Sequence, residues 1–196
     1  MPPTADTTLF LGPSDSPLLA WLRDSEPRVI QTDAIVDHDF VTDNGIGFAV
    51  SYGYRHILRE PVLELLPDRA VNLHISLLPW NRGADPNLWS FIDDTPKGVT
   101  IHYLDSGIDT GDIIAQKEIS FPDIDNETLA TTYARLNTEV QDLFRANWPA
   151  IRSGNCERRS QSPGGSYHAI ADRSRVAEKL TKGWDTPIRG LIAAAH

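Results

Sequence analysis

The chain has 196 residues, 40% of them apolar and 23% charged, enough to build one buried core and too apolar for a disordered or fibrous chain. With 27 acidic against 18 basic side chains the formal charge is -9, which excludes a broad phosphate-tracking surface, since such binding needs Lys and Arg to displace counterions. The single cysteine, Cys156, has no internal partner, and Asn155, Glu157 and Arg158 beside it do not make a metal-ligand cluster, so neither a disulfide nor a metal is expected. Met1 to Thr8 is polar rather than a signal peptide, and no stretch approaches the roughly 18 apolar residues of a membrane helix. The expectation is a cytoplasmic chain that meets neither membrane nor nucleic acid.

In chain order, Leu9 to Gly12 reads as a strand entering a turn of Pro13, Ser14, Asp15 and Ser16. Pro17 suits the first turn of a helix carrying Leu18, Leu19, Trp21 and Leu22, and a second strand covers Arg28 to Gln31. The acids and turn formers of Asp33 to Asn44 predict a loop, followed by a third strand over Ile46 to Ser51. A helix over Glu60 to Leu66, a strand over Ala70 to Ser76, a short helix over Trp89 to Ile92 and a strand over Val99 to Leu104 come next. Ser106 to Gly111 is a return into a strand over Ile113 to Phe121.

Leu129, Tyr133, Leu136, Val140, Leu143, Phe144 and Trp148 recur at helical spacing, with Asp125 or Asn126 as N-cap. Arg152 to Gly165 reads as a loop and the tail from Arg173 as a small helical element. Strands alternating with helices predict an α/β fold, a mainly parallel Rossmann-like sheet flanked by helices with a short C-terminal extension. Residues 1–152 form the catalytic part and 153–196 an extension of the same domain. Ligands should gather beyond the carboxyl ends of the strands, at Gly53 to Leu58 and from His74 onward.

The chemistry concentrates in Val71-Asn72-Leu73-His74-Ile75-Ser76-Leu77-Leu78-Pro79-Trp80-Asn81-Arg82-Gly83. Residues two apart on a strand share a face, so Asn72 and His74 project together. An amide and an imidazole side by side can donate to a developing oxyanion and move a proton at neutral pH. Gly107-Ile108-Asp109-Thr110-Gly111-Asp112 is a glycine-flanked turn presenting a carboxylate that can orient the imidazole. For His102 and His56 a structural role is one reading, and Trp89 reads as a packing residue. No Gly-x-Gly-x-x-Gly fingerprint occurs, so no dinucleotide is expected.

Asn72-Leu73-His74-Ile75-Ser76-Leu77-Leu78-Pro79, followed by Arg82-Gly83, Pro86, Trp89, Gly98-Val99-Thr100-Ile101-His102 and Asp109-Thr110-Gly111-Asp112-Ile113-Ile114, resembles the catalytic domain of formyltransferases that use N10-formyltetrahydrofolate. The likeness runs from about Val50 to Phe121. It implies a catalytic triad of Asn72, His74 and Asp109, with N10-formyltetrahydrofolate as formyl donor and its pteridine against His56, Ile57 and Leu58 and against Leu104, Asp105 and Ser106.

About 75 residues follow Phe121, too few for the additional tRNA-holding domain of methionyl-tRNA formyltransferase, and the acidic charge points the same way. Residues 78–86 and the tail around Tyr167 and Trp184 look like the compact sugar N-formyltransferases. The resemblance thus implies an N-formyltransferase acting on a diffusible primary amine, that of a nucleotide-linked deoxy-amino sugar. Trp80 and Arg82 stand as acceptor-binding candidates, Arg82 either on a phosphate or pinning its loop. Formylation of an aminoacyl group on a peptide-synthetase carrier protein, formyltetrahydrofolate hydrolysis and a folate-binding module without turnover stay as alternatives. A homodimer is left open.

Overall fold

The computed structural model describes residues 6–193. Most of the polar N-terminal stretch, Met1 to Ala5, and the last three residues of the C-terminal extension lie outside them. The sheet begins with β1 (Thr7–Leu11), β2 (Val29–Thr32), β3 (Ile46–Ser51) and β4 (Ala70–His74), all parallel, and continues through β6 (Gly98–Tyr103) and β7 (Ile113–Glu118) in the order β2-β1-β3-β4-β6-β7. β6 runs antiparallel to both β4 and β7. The expected mainly parallel α/β sheet is present, with a single antiparallel strand, β6, between β4 and β7.

Alternation along the strands assigns each side chain to a face. Phe10, Phe48, Val50, Val71, Leu73, Val99, Ile101 and Tyr103 fill one core, under α1 (Pro17–Ser25) and α5 (Leu129–Ser153). Leu9, Leu11, Ala49 and Ala70 point the other way, into a core closed by α2 (His38–Asp43) and α3 (Glu60–Leu63). On that second face, beyond Ala70, come Asn72 and His74, and from β6 come Thr100 and His102. The register sets Asn72 opposite His102 and His74 opposite Thr100. Strands buried on both faces are apolar throughout, so a polar quartet at this point stands out.

The stretch predicted as loop contains α2: the Asp37 carboxylate caps it by accepting from the Phe40 N–H at 2.8 Å, and Val41 anchors its buried side. The acids that suggested a loop are a cap and a solvated face. The N-cap of α5 is Thr128, not Asp125 or Asn126, which lie in a separate 3-10 turn; Thr128 and Thr131 exchange side-chain to main-chain bonds of 2.9 and 3.2 Å. The fourth strand stops at His74 rather than Ser76. Thr100 Oγ1 donates to the Ser76 carbonyl at 2.7 Å and accepts from the Leu78 N–H at 3.1 Å, taking the main-chain groups a longer ladder would use.

A second, two-stranded sheet escaped the sequence reading. β5 (Arg82–Gly83) pairs in parallel with β8 (Tyr167–His168), bringing the C-terminal segment beside the loop that follows β4. Two residues per strand carry no readable period. α4 (Pro86–Ile92) is longer than the predicted Trp89 to Ile92. The tail consists of 3-10 turns at Ile170–Lys179 and Gly183–Asp185 and of α6 (Ile188–Ala193). Val176, Ile188 and Leu191 join Leu88, Trp89, Phe91 and Leu129 in a third core. Each such buried side chain contributes up to about 1.5–3 kcal/mol. Among the described residues no helix is long and apolar enough to cross a membrane.

Candidate active site

Asn72, His74 and Asp109 come together as the sequence reading expects. Asp109 sits with φ +53°, a left-handed conformation that turns its side chain back onto the end of β4. The Oδ1 atom accepts from Asn72 Nδ2 at 3.1 Å and lies 3.4 Å from His102 Nε2. The Oδ2 atom accepts from the Gly83 N–H at 2.8 Å and lies 3.6 Å from His74 Nδ1. Burial alone would push this carboxyl up. In the acid range where a carboxyl titrates, the neighbouring imidazoles of His74 and His102 and the Gly83 N–H outweigh it and hold Asp109 well below the usual carboxylate range.

His74 is 6% exposed, and its Nε2 lies 2.9 Å from the main-chain oxygen of Asn81. A carbonyl only accepts, so Nε2 carries the proton and Nδ1 is the nitrogen facing Asp109. At 3.6 Å that separation is too long for a hydrogen bond, which leaves Nδ1 open to another partner. His102, for which the sequence leaves a structural role open, belongs to the cluster. With Nδ1–H donated to the Tyr103 carbonyl at 2.8 Å, its Nε2 accepts from Asn72 Nδ2 at 3.2 Å. Both amide hydrogens of Asn72 are then engaged, one by Asp109 and one by His102. The signal was the parity of His102 with Thr100 on a strand paired to β4, invisible until that pairing is known.

The other predicted residues separate. Leu58 is buried in the second core and Leu104 packs against the same cluster, so the two segments expected to hold the pteridine meet at one apolar floor. His56, Ile57, Asp105 and Ser106 are exposed. The Asp105 carboxylate takes the Thr110 hydroxyl at 2.7 and 2.9 Å and the Gly107 N–H at 3.1 Å, shaping the turn that leads to Asp109. Trp80 lies at the rim, 36% exposed. Trp89 is buried and stacks face to face on His168, with centroids 4.0 Å apart. Arg82 directs Nε and Nη2 onto Gln161 Oε1 at 3.1 and 2.8 Å, the pinning arrangement of its two expected roles. Among the described residues no group of three or more His, Cys, Asp or Glu is placed to hold a metal.

A buried imidazole between a carboxylate and a carbonyl, at strand ends beside an apolar floor, is equipped to move one proton between two bound molecules. The formyl transferase family model matches residues 31–146, and the chain belongs to that family. It is 47% identical, with a TM-score of 0.90 over 97% of this chain and 100% of the other, to the formyltransferase PseJ from Anoxybacillus kamchatkensis, solved in complex with UDP-4,6-dideoxy-4-formamido-L-AltNAc and tetrahydrofolate. A 4-N formyltransferase from Francisella tularensis shares the fold at 20% identity, with a TM-score of 0.74 over 98% of this chain and 88% of that one. Methionyl-tRNA formyltransferase of Thermodesulfovibrio yellowstonii is 43% identical over 104 residues, 50% of this chain and 34% of that protein, so the chain matches about a third of that relative's length. The chain is a formyltransferase.

Proposed function

We propose that the protein transfers the formyl group of N10-formyltetrahydrofolate to the amine of a nucleotide-linked deoxy-amino sugar, a UDP-linked 4-amino-4,6-dideoxy sugar being the first candidate. The observation that carries this is the 47% identity, over the full length of the relative, to an enzyme captured with a UDP-linked formamido sugar and tetrahydrofolate. Residues 1–152 act as the catalytic part. Residues 153–196 serve as an extension of the same domain, a reading supported by the third core, which draws on both.

In this reading the pteridine lies on the floor near Leu58 and Leu104, and the sugar amine attacks the formyl carbon. As the new C–N bond forms, the amine passes one proton to His74 Nδ1, whose Nε2–H is held by the Asn81 carbonyl. The resulting imidazolium is stabilised by Asp109, and its charge offsets the oxyanion of the tetrahedral intermediate. Collapse breaks the bond from carbon to N10, and N10 takes the proton from His74, giving tetrahydrofolate and the formamido sugar. Asn72, assigned from sequence to the oxyanion, has both amide hydrogens on Asp109 and His102. It therefore orients those two groups and offers its Oδ1 to the amine. Remote binding of the nucleotide positions the amine for attack. Such an enzyme works without nucleic acid or membrane, in the reducing cytoplasm that suits the unpaired Cys156.

The test is to incubate the purified protein and donor with nucleotide-linked 3-amino and 4-amino deoxysugars, initiator methionyl-tRNA, aminoacyl carrier proteins and buffer alone, following tetrahydrofolate release and product mass. A gain of one formyl group on an amino sugar is expected. Formylation confined to the tRNA or carrier samples overturns the acceptor, and formate released without any amine makes the protein a hydrolase.

A further inference from the structure

We infer that Ser166 and Gln161, on the segment that returns after α5, are positioning residues of the active centre. Through them the C-terminal segment fixes His74 and Asp109 from outside the catalytic strands. This rests on the proposed roles of His74 and Asp109.

The segment is anchored at its start, where Ile113 and Arg159 exchange main-chain bonds of 2.7 and 2.9 Å at the head of β7. Two residues on, Gln161 uses every polar atom of its side chain. Its Nε2 donates to the main-chain oxygens of Asp109 and Gly111, both at 2.8 Å, and its Oε1 accepts both Arg82 bonds. The turn that carries Asp109 is thereby tied to β5, whose Gly83 N–H holds the Asp109 carboxylate.

Ser166 does the same for His74. Its Oγ accepts from the Asn81 N–H at 2.9 Å and donates to Asn81 Oδ1 at 3.2 Å, while Asn81 Nδ2 donates to Thr95 Oγ1 at 2.7 Å. Asn81 is fully buried with φ +56°, a conformation Asn tolerates better than most residues and one that needs surrounding bonds to persist. That conformation aims the Asn81 carbonyl at His74 Nε2. Gly165, with φ +87°, lets the chain pass so close to Pro79 that a Cβ there would stand 2.0 Å from the Pro79 oxygen. Because the polar atoms of both side chains are taken up inside the protein, their role is to hold geometry rather than to bind a substrate.

The experiment compares Ser166→Ala, Ser166→Thr, Gln161→Ala and Gln161→Glu, measuring kcat, both KM values and thermal unfolding, with His74→Ala alongside. Both alanine variants are expected to fold and to lose about 10-fold or more in kcat, since small misplacements of reacting groups are costly, with each KM within about 2-fold of wild type. Ser166→Thr, which keeps the hydroxyl, restores most of the kcat. Gln161→Glu keeps an acceptor for Arg82 but has no donor for the two carbonyls, and stays as slow as Gln161→Ala. If Ser166→Ala does not fold, the Gln161 pair decides by the same criteria. A near-normal kcat in the alanine variants, or an effect confined to KM, beside an inactive His74→Ala, overturns the positioning role alone. An active His74→Ala removes the mechanism on which it rests.

Discussion

Asn72 and His102 face each other across the antiparallel β4–β6 pair, with Nδ2 and Nε2 3.2 Å apart, and Asp109 closes the triangle from the turn before β7. The proposed reacting centre is thus a cross-strand cluster of four side chains, to which the three residues legible as a motif contribute only part.

Removal of the proton carrier or its carboxylate should abolish most turnover. His74→Ala and Asp109→Asn are each expected to lower kcat by about 100-fold or more, the scale of general acid–base groups, with the fold retained. Steady-state kinetics beside circular dichroism checks this. Near-wild-type kcat in either folded variant removes that residue from the mechanism.

Asp109 also links stability to pH. Its folded carboxyl lies below the ordinary value of 3.8, so it contributes stability that is fully present above that value and is lost as pH falls toward the folded one. Below about pH 4, melting temperature should therefore drop more steeply with falling pH for wild type than for Asp109→Asn. Equal slopes would mean that the carboxylate is not held in its charged form by its neighbours.

Gly83 is a single-atom test of how β5 meets β8. Its φ is +88°, and a Cβ there would stand 2.3 Å from the His168 oxygen and 2.8 Å from the Tyr167 ring. Gly83→Ala is expected to displace the N–H that holds Asp109, costing about 1–3 kcal/mol of stability for the strained backbone and lowering kcat as well. Thermal melts and kinetics on one preparation measure both. An active, fully stable variant would show that the β5–β8 pairing is dispensable.

Where the sequence repeats a period over several residues, it determined the structure. The strands of the main sheet alternate around two cores, and the 25-residue α5 shows its buried stripe of Leu136, Val140, Phe144 and Trp148 at helical spacing. The same local logic put Asn72 and His74 on one face and Asp109 in a glycine-flanked turn, and the family resemblance joined the three. Long-range pairing decided the remainder. His102 entered the site because β6 lies antiparallel against β4, and Arg82 met Gln161, 79 residues away, because the chain after α5 returns beside β5. Asn81 was passed over because its contribution is a main-chain carbonyl in a left-handed conformation, which no side-chain pattern announces. α2 was hidden because its capping Asp37 and solvated face have the composition of a loop, and only the burial of Val41 against the sheet makes it a helix. Local periodicity is written in neighbouring residues, whereas contacts between segments far apart in sequence arise only when the folded backbone brings them within hydrogen-bonding reach.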